Sequence, residues 1–150
     1  MPDLGAIHEN VRFDWAAADR LARELRSSAG VLTTQVGYRN TIAAQARQDW
    51  RGGFAEQFDG RMGICTGDAQ RLATALLRAA DQVDELARMA RQEQDRREQA
   101  RAWERRQRDE GNFEKFKEFF TGEHDTPPVP PPVEPPKFVI TETACSTRNG

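Results

Sequence analysis

Residues 54–90 read FAEQFDGRMGICTGDAQRLATALLRAADQVDELARMA, and this stretch decides the architecture. Phe54, Phe58, Met62, Cys65, Ala69, Leu72, Leu76, Ala79, Val83, Leu86 and Ala90 follow one another at steps of three and four. A helix turns once in about 3.6 residues, so this alternation keeps one apolar stripe on one face, the seam of a helix lying lengthwise on a partner. After Ala90 the seam stops although helical composition continues. Residues 91–110 carry Arg, Glu, Gln and Asp on all faces, with Trp103 the only large apolar side chain.

The partner helix lies upstream. Residues 11–49 contain no Pro, are rich in Ala, Arg, Leu and Gln, and place Ala18, Leu21, Leu25, Ala29, Leu32, Val36 and Ala43 at helical spacing. Gly30 and Gly37 weaken this helix by ~1 kcal/mol each relative to Ala. Between the two helices stands Asp49-Trp50-Arg51-Gly52-Gly53, where paired glycines supply a left-handed cap and release the chain to turn.

The helix of residues 11–49 and the seam of residues 54–90 are nearly equal in length, which predicts antiparallel helices that overlap over just that stretch. Beyond Ala90 the second helix has nothing to pack against, which accounts for its polar composition. The predicted fold is all-α, an antiparallel two-helix hairpin with an overhanging second helix and a disordered proline-rich C-terminal tail. The corresponding divisions are a flexible N-terminus at 1–10, the hairpin at 11–92, a charged helical extension with a Phe-rich segment at 93–121, and the proline-rich tail at 122–150.

Composition supports an elongated object over a spherical core. Hydrophobic residues make up 37% of the 150 and charged residues 31%, against the ~45–50% apolar content usual for globular proteins. A net charge of −2 gives no general attraction to nucleic acid or anionic membrane. On the charged arm, Arg96, Arg97, Arg101, Arg105, Arg106 and Arg108 are matched by Glu93, Asp95, Glu98, Glu104, Asp109 and Glu110. Phosphate binding needs an uncompensated positive face, so the arm reads as solvated helix and no nucleic-acid partner is expected. No apolar run reaches the ~18 residues of a membrane span, and residues 1–10 lack the basic and apolar regions of an ordinary secretory signal.

Chemistry finds little to work with. His8 and His124 both fall in segments expected to be flexible, and Cys65 and Cys145 lie far apart in the chain. No metalloprotease, P-loop, nucleophile-elbow or dinucleotide-binding spacing occurs. The expectation is a protein without catalytic residues, metal or cofactor.

Phe113, Phe116, Phe119 and Phe120 form an amphipathic segment of two to three turns, readable as an anchor for a membrane or partner groove, or as a cover for the hairpin's side. Residues 126–136, TPPVPPPVEPP, read as an extended polyproline spacer. Gly60, Gly63 and Gly67 in the second helix, with Gly30 and Gly37 in the first, suit either close backbone approach or a marginal helix.

Trp50-Arg51-Gly52 between helices of matched length, with Phe54 and Phe58 just after, resembles the WXG-motif proteins of type VII secretion systems. Members of that family form helical hairpins with the Trp-X-Gly turn at the bend. The stretch DWRGGFAEQFDGRM is also similar to the amino-terminal domains of longer actinobacterial secreted proteins and toxins. The resemblance covers residues 11 to about 100. It implies pairing, with itself or another helical-hairpin protein, into a helical bundle; a link to the type VII machinery; and a secreted or cell-surface location reached without a signal peptide.

Relatives carry a tyrosine followed four residues later by Asp or Glu past the second helix, as an export signal. Here the only tyrosine is Tyr38, and Phe119 with Glu123 keeps the spacing without the hydroxyl, a degenerate copy. Export would then depend on a partner that supplies the signal. Trp15, Val31, Tyr38 and Ile42 on the first helix, Leu77 and Met89 on the second, and Trp50, Phe54 and Phe58 at the turn are the candidate partner interface. Two other functions fit the same residues. One is a cytoplasmic coiled-coil adaptor recruiting a partner through its Phe-rich or Pro-rich C-terminal region. The other is the leader region of a secreted toxin lacking its effector domain.

Overall fold

The computed structural model describes residues 5–110, Pro130 and Pro132. Two helices account for nearly all of this: α1, Trp15–Ala46, of 32 residues, and α2, Gly53–Glu110, of 58 residues. The fold is an all-α two-helix hairpin, and no strand occurs among the described residues. The described residues divide into two compact units, one of residues 15–84, the other of residues 5–14 and 85–110 with Pro130 and Pro132.

In the first unit, α1 and the start of α2 run antiparallel, as contacts from Arg26 and Asn40 on α1 and from Arg47 just past its end fix. Arg47 Nε donates to both carboxylate oxygens of Asp59 at 2.8 Å, beside the bend. Farther out, Thr66 Oγ1 donates to Asn40 Oδ1 at 3.1 Å. Near the start of α1, Arg26 Nη2 bridges Asp81 at 2.8 Å and Asp84 at 2.7 Å. As the residue number falls along α1 it rises along α2, so the two helices hold a single register.

Alanine fills the seam between them. Ala18, Ala22, Ala29 and Val36 are buried on α1, and Ala55, Ala73 and Ala80 on α2. Ala22, Ala29 and Val36 recur every seven residues, as do Ala73 and Ala80, the repeat of helices packed lengthwise. Alanine permits helix axes to approach toward the short end of the usual ~8–10 Å range and costs no side-chain entropy.

This corrects the seam expected for the second helix. Of its eleven residues, Phe54 is 78% exposed, Leu72 is 46% exposed and Cys65 is exposed, while Phe58, Met62, Ala69, Leu76, Ala79, Val83 and Leu86 are half-buried. The buried positions Ala55 and Ala73 each lie one residue further along, a rotation of about 100° around the helix. The stripe of large residues marks where apolar mass is greatest. The helices meet where the side chains are smallest.

The connection also differs in detail. α1 starts at Trp15 rather than residue 11, directly after Asp14, a residue type favoured at helix N-caps. It ends at Ala46 rather than 49, and residues 47–52 link it to α2. Gly52 has φ +96°, in the left-handed region, but it caps the start of α2 rather than the end of α1. Its carbonyl accepts from the amides of Ala55 at 3.0 Å and Glu56 at 3.3 Å.

In the second unit, the arm expected to be bare has a partner. Residues 5–14 form a bent strap on the helical residues 90–104. Ile7, only 2% exposed, is the largest fully buried side chain among the described residues. Ala90, Arg96, Ala100 and Trp103 are buried on the helix. Glu93, Arg96, Ala100 and Trp103 follow at steps of three, four and three, so the apolar stripe resumes after Ala90 through an arginine–glutamate pair. A pattern scored on hydrophobicity stops at such a pair, which is why the stripe reads as ended. The segment expected to be a flexible lead-in is hydrogen-bonded to this stretch of helix, from Glu9, Asn10 and Val11 to Gln94, Arg97 and Arg101.

Candidate interaction surface

The site is built from a simple rule of position. On both helices of the hairpin, the residue three places after a seam position is apolar at Leu21, Leu25 and Leu32 on α1 and at Phe58, Leu76 and Val83 on α2, with Arg39 the exception. The residue four places after is polar at Arg26, Thr33, Asn40, Asp59 and Asp84; the exceptions are Leu77 and Ala22, the latter a seam residue itself. In a helical pair these two offsets fall on opposite sides of the seam, at about −60° and +40° from it. Because the helices are antiparallel, equal offsets on both fall on the same side of the pair. One side of the hairpin is therefore polar and carries the Arg26, Asn40 and Arg47 contacts; the other is apolar.

The apolar side is extended by Phe54, Cys65 and Leu72, at the borders of the same stripe on α2. Leu21 is 50% exposed there. Every large side chain on it is half-buried or exposed, so the hairpin leaves much of its apolar area facing outward. Val31, Tyr38 and Ile42 are exposed on α1, at steps of seven and four, on its face opposite the alanine seam.

The candidate interface residues thus fall into separate groups. Phe54 and Phe58 lie on the apolar side next to the bend. Trp50, in the connection, sets its ring 5.3 Å from that of Phe58 at a 49° tilt, so the indole covers the near end of the apolar side. Arg51 is exposed, and its Nη1 donates to the Arg47 carbonyl at 2.9 Å. Arg47 itself donates to the Trp50 carbonyl, tying the connection down from α1. Val31, Tyr38 and Ile42 form the outer stripe of α1. Trp15 is the half-buried first residue of α1, and Leu77 lies on the polar side, four and seven residues before Asp81 and Asp84. Met89 is half-buried in the other unit. Phe119 and Glu123 lie outside the described residues. Sequence reading assigned Leu21 and Leu72 to the interior, and their alternation with a buried alanine one residue later is the signal that would have placed them outside.

The strap–arm contact is chiefly polar. Arg96 Nε and Nη2 donate to Glu93 at 2.8 and 2.9 Å, and Arg97 Nε donates to Glu93 Oε1 at 2.8 Å. Arg96 is 3% exposed, and its guanidinium is pushed above its ordinary value, chiefly by the hydrogen bonds to Glu93. Backbone groups of the strap and the Asn10 side chain meet the helix. The Val11 amide donates to Gln94 Oε1 at 2.8 Å, and Arg97 Nη1 donates to the Glu9 carbonyl at 2.9 Å. Asn10 Oδ1 accepts from both terminal nitrogens of Arg101 at 2.9 Å and from Gln94 Nε2 at 3.1 Å. Gly5, at φ +67°, sits so that a Cβ would meet the Pro132 ring at 3.3 Å and Arg96 Nη2 at 3.8 Å.

Comparison with protein-family models, curated proteins and solved structures found no match. Among the described residues, no group of three or more His, Cys, Asp or Glu is placed to hold a metal ion, and no helix is long and apolar enough to cross a membrane.

Proposed function

We propose that this chain is a type VII secretion-associated, WXG-like protein that pairs with itself or a similar hairpin through its apolar side to form a helical bundle, without catalysing a reaction. One observation carries the pairing: the hairpin closes on alanine and leaves Leu21, Phe54 and Leu72 outside on one face. Two helices joined by an alanine seam bury little apolar area, and small cores seldom supply more than ~3–5 kcal/mol. A second helical pair laid on that face would bury the leucines and phenylalanines at the same heptad spacing. The polar side, closed by its own ion pairs, has no such need.

The secretion context rests on the resemblance at Trp50-Arg51-Gly52, supported by the left-handed Gly52 at the bend and the Trp50–Phe58 contact. In this reading the protein leaves the cell without a signal peptide, and its partner supplies the export signal that Phe119 and Glu123 carry only in degenerate form. Light scattering coupled to size-exclusion chromatography tests the pairing, on the full chain alone and mixed with any hairpin protein encoded beside it. A dimer or one-to-one complex supports it, and a monomer in both runs at micromolar concentration removes it. Immunodetection in culture supernatants tests the secretion context separately, since a cytoplasmic adaptor stays inside intact cells.

A further inference from the structure

The arm face under the strap is a second interaction surface, distinct from the apolar side of the hairpin. We propose that this face, built from Arg96, Arg97, Ala100, Arg101 and Trp103, is a docking site for a short linear peptide of a partner protein, and that residues 5–11 occupy it in cis as a displaceable latch. The occupant's chemistry is set by what the strap presents. One branched aliphatic side chain, Ile7, is buried. Three residues later the Asn10 side-chain oxygen takes the Arg101 fork, and the intervening Glu9 carbonyl takes Arg97.

Two features make the latch displaceable. Among residues 5–11 only Ile7 is buried, while Glu9 and Asn10 are exposed and reach the helix through hydrogen bonds that water replaces. The receptor, in contrast, is organised from within its own helix. Glu93 fixes both Arg96 and Arg97 at 2.8 Å, so the guanidinium groups are held in place by α2 itself. A peptide carrying an Ile or Val three positions before an Asn would find the same donors waiting. Tethering gives the cis strap an effective concentration on the millimolar scale, so a partner must present its peptide at high local concentration to win.

The test uses the full chain and a labelled peptide of residues 5–14, GAIHENVRFD, read by fluorescence anisotropy. In the I7D chain the latch loses its anchor, and the peptide is expected to bind about tenfold or more tightly than to the wild type, in line with removal of a tethered competitor. Adding Arg97→Ala and Arg101→Ala to I7D should abolish that binding. Equal binding to I7D and wild type, or no binding to an I7D chain that keeps its helical circular dichroism, overturns the proposal. Loss of helix content in I7D also overturns it, because the strap would then be an integral part of the fold.

Discussion

Replacing Ala80 with leucine tests where the two helices of the hairpin meet. Ala80 is 0% exposed, in a seam whose other members are also small. Leucine adds three carbons where there is no room, so either a side chain leaves its rotamer or the helices separate, at a cost of ~1–3 kcal/mol. Leu72→Ala gives the contrast. With 46% of Leu72 exposed, only about half of the ~1.5–3 kcal/mol of full burial is realised within the hairpin. That substitution should cost ~1 kcal/mol at protein concentrations where the chain is monomeric. At concentrations where it pairs the cost should rise, because the exposed half of the side chain is buried by the partner. Urea denaturation followed by circular dichroism, at low and high protein concentration, measures both. If Ala80→Leu is neutral or stabilising while Leu72→Ala costs ~3 kcal/mol at every concentration, the helices meet on the leucine stripe and the alanine seam is refuted.

Gly52→Val should destabilise by more than ~1 kcal/mol in thermal unfolding, because its φ of +96° excludes β-branched residues even though the space around it is open. Trp50→Ala should weaken association more than it lowers helix content, since its contact with Phe58 lies at the edge of the apolar side; equal loss of both would make the indole internal packing only. Glu93→Gln should cost ~1–3 kcal/mol by leaving the buried Arg96 charge without its carboxylate, and Glu93→Gln with Arg96→Met should cost less than Glu93→Gln alone. Glu85 should titrate below 4.5 by NMR, because its hydrogen bonds with Arg88 favour the carboxylate, and Arg88→Ala should raise it. Its depressed folded value means the pair supports the fold above the unfolded value and loses that support as pH falls through the folded one.

The helices, their antiparallel pairing and a bend near residues 50–53 are legible in the sequence, because periodicity and paired glycines are strong local signals; the structure starts the bend three residues earlier. Which face of α2 meets α1 is not. A scan for apolar mass follows Phe54, Leu72 and Leu76, whereas contact depends on how closely two backbones approach, and Ala55, Ala73 and Ala80 decide that. The strap is equally hidden. Residues 5–14 have no periodicity, and their recognition rests on an Asn side chain and backbone groups that face arginines more than eighty positions away. Arg96 reads as a surface charge until its partner Glu93 and the closeness of Gly5 are seen together. Of the candidate interface, Val31, Tyr38, Ile42 and Phe54 were recognisable as large side chains off the beat of their neighbours or next to the bend. Leu21 and Leu72 were not, because they fit the beat too well.

The strap's place in the chain has a consequence for how the protein matures. The bend contact joins residues 12 apart, Arg47 and Asp59, whereas the Val11–Gln94 contact joins residues 83 apart. Loop closure favours the near pair, so the hairpin zips outward from its bend while the strap still has no site. At ~5–20 residues per second of synthesis, the 83 residues between Val11 and Gln94 correspond to about 4–17 s during which the strap has been made and its partner Gln94 has not. During that interval the strap is open to any chaperone or partner, and a segment synthesised well before the hairpin is among the last to find its place.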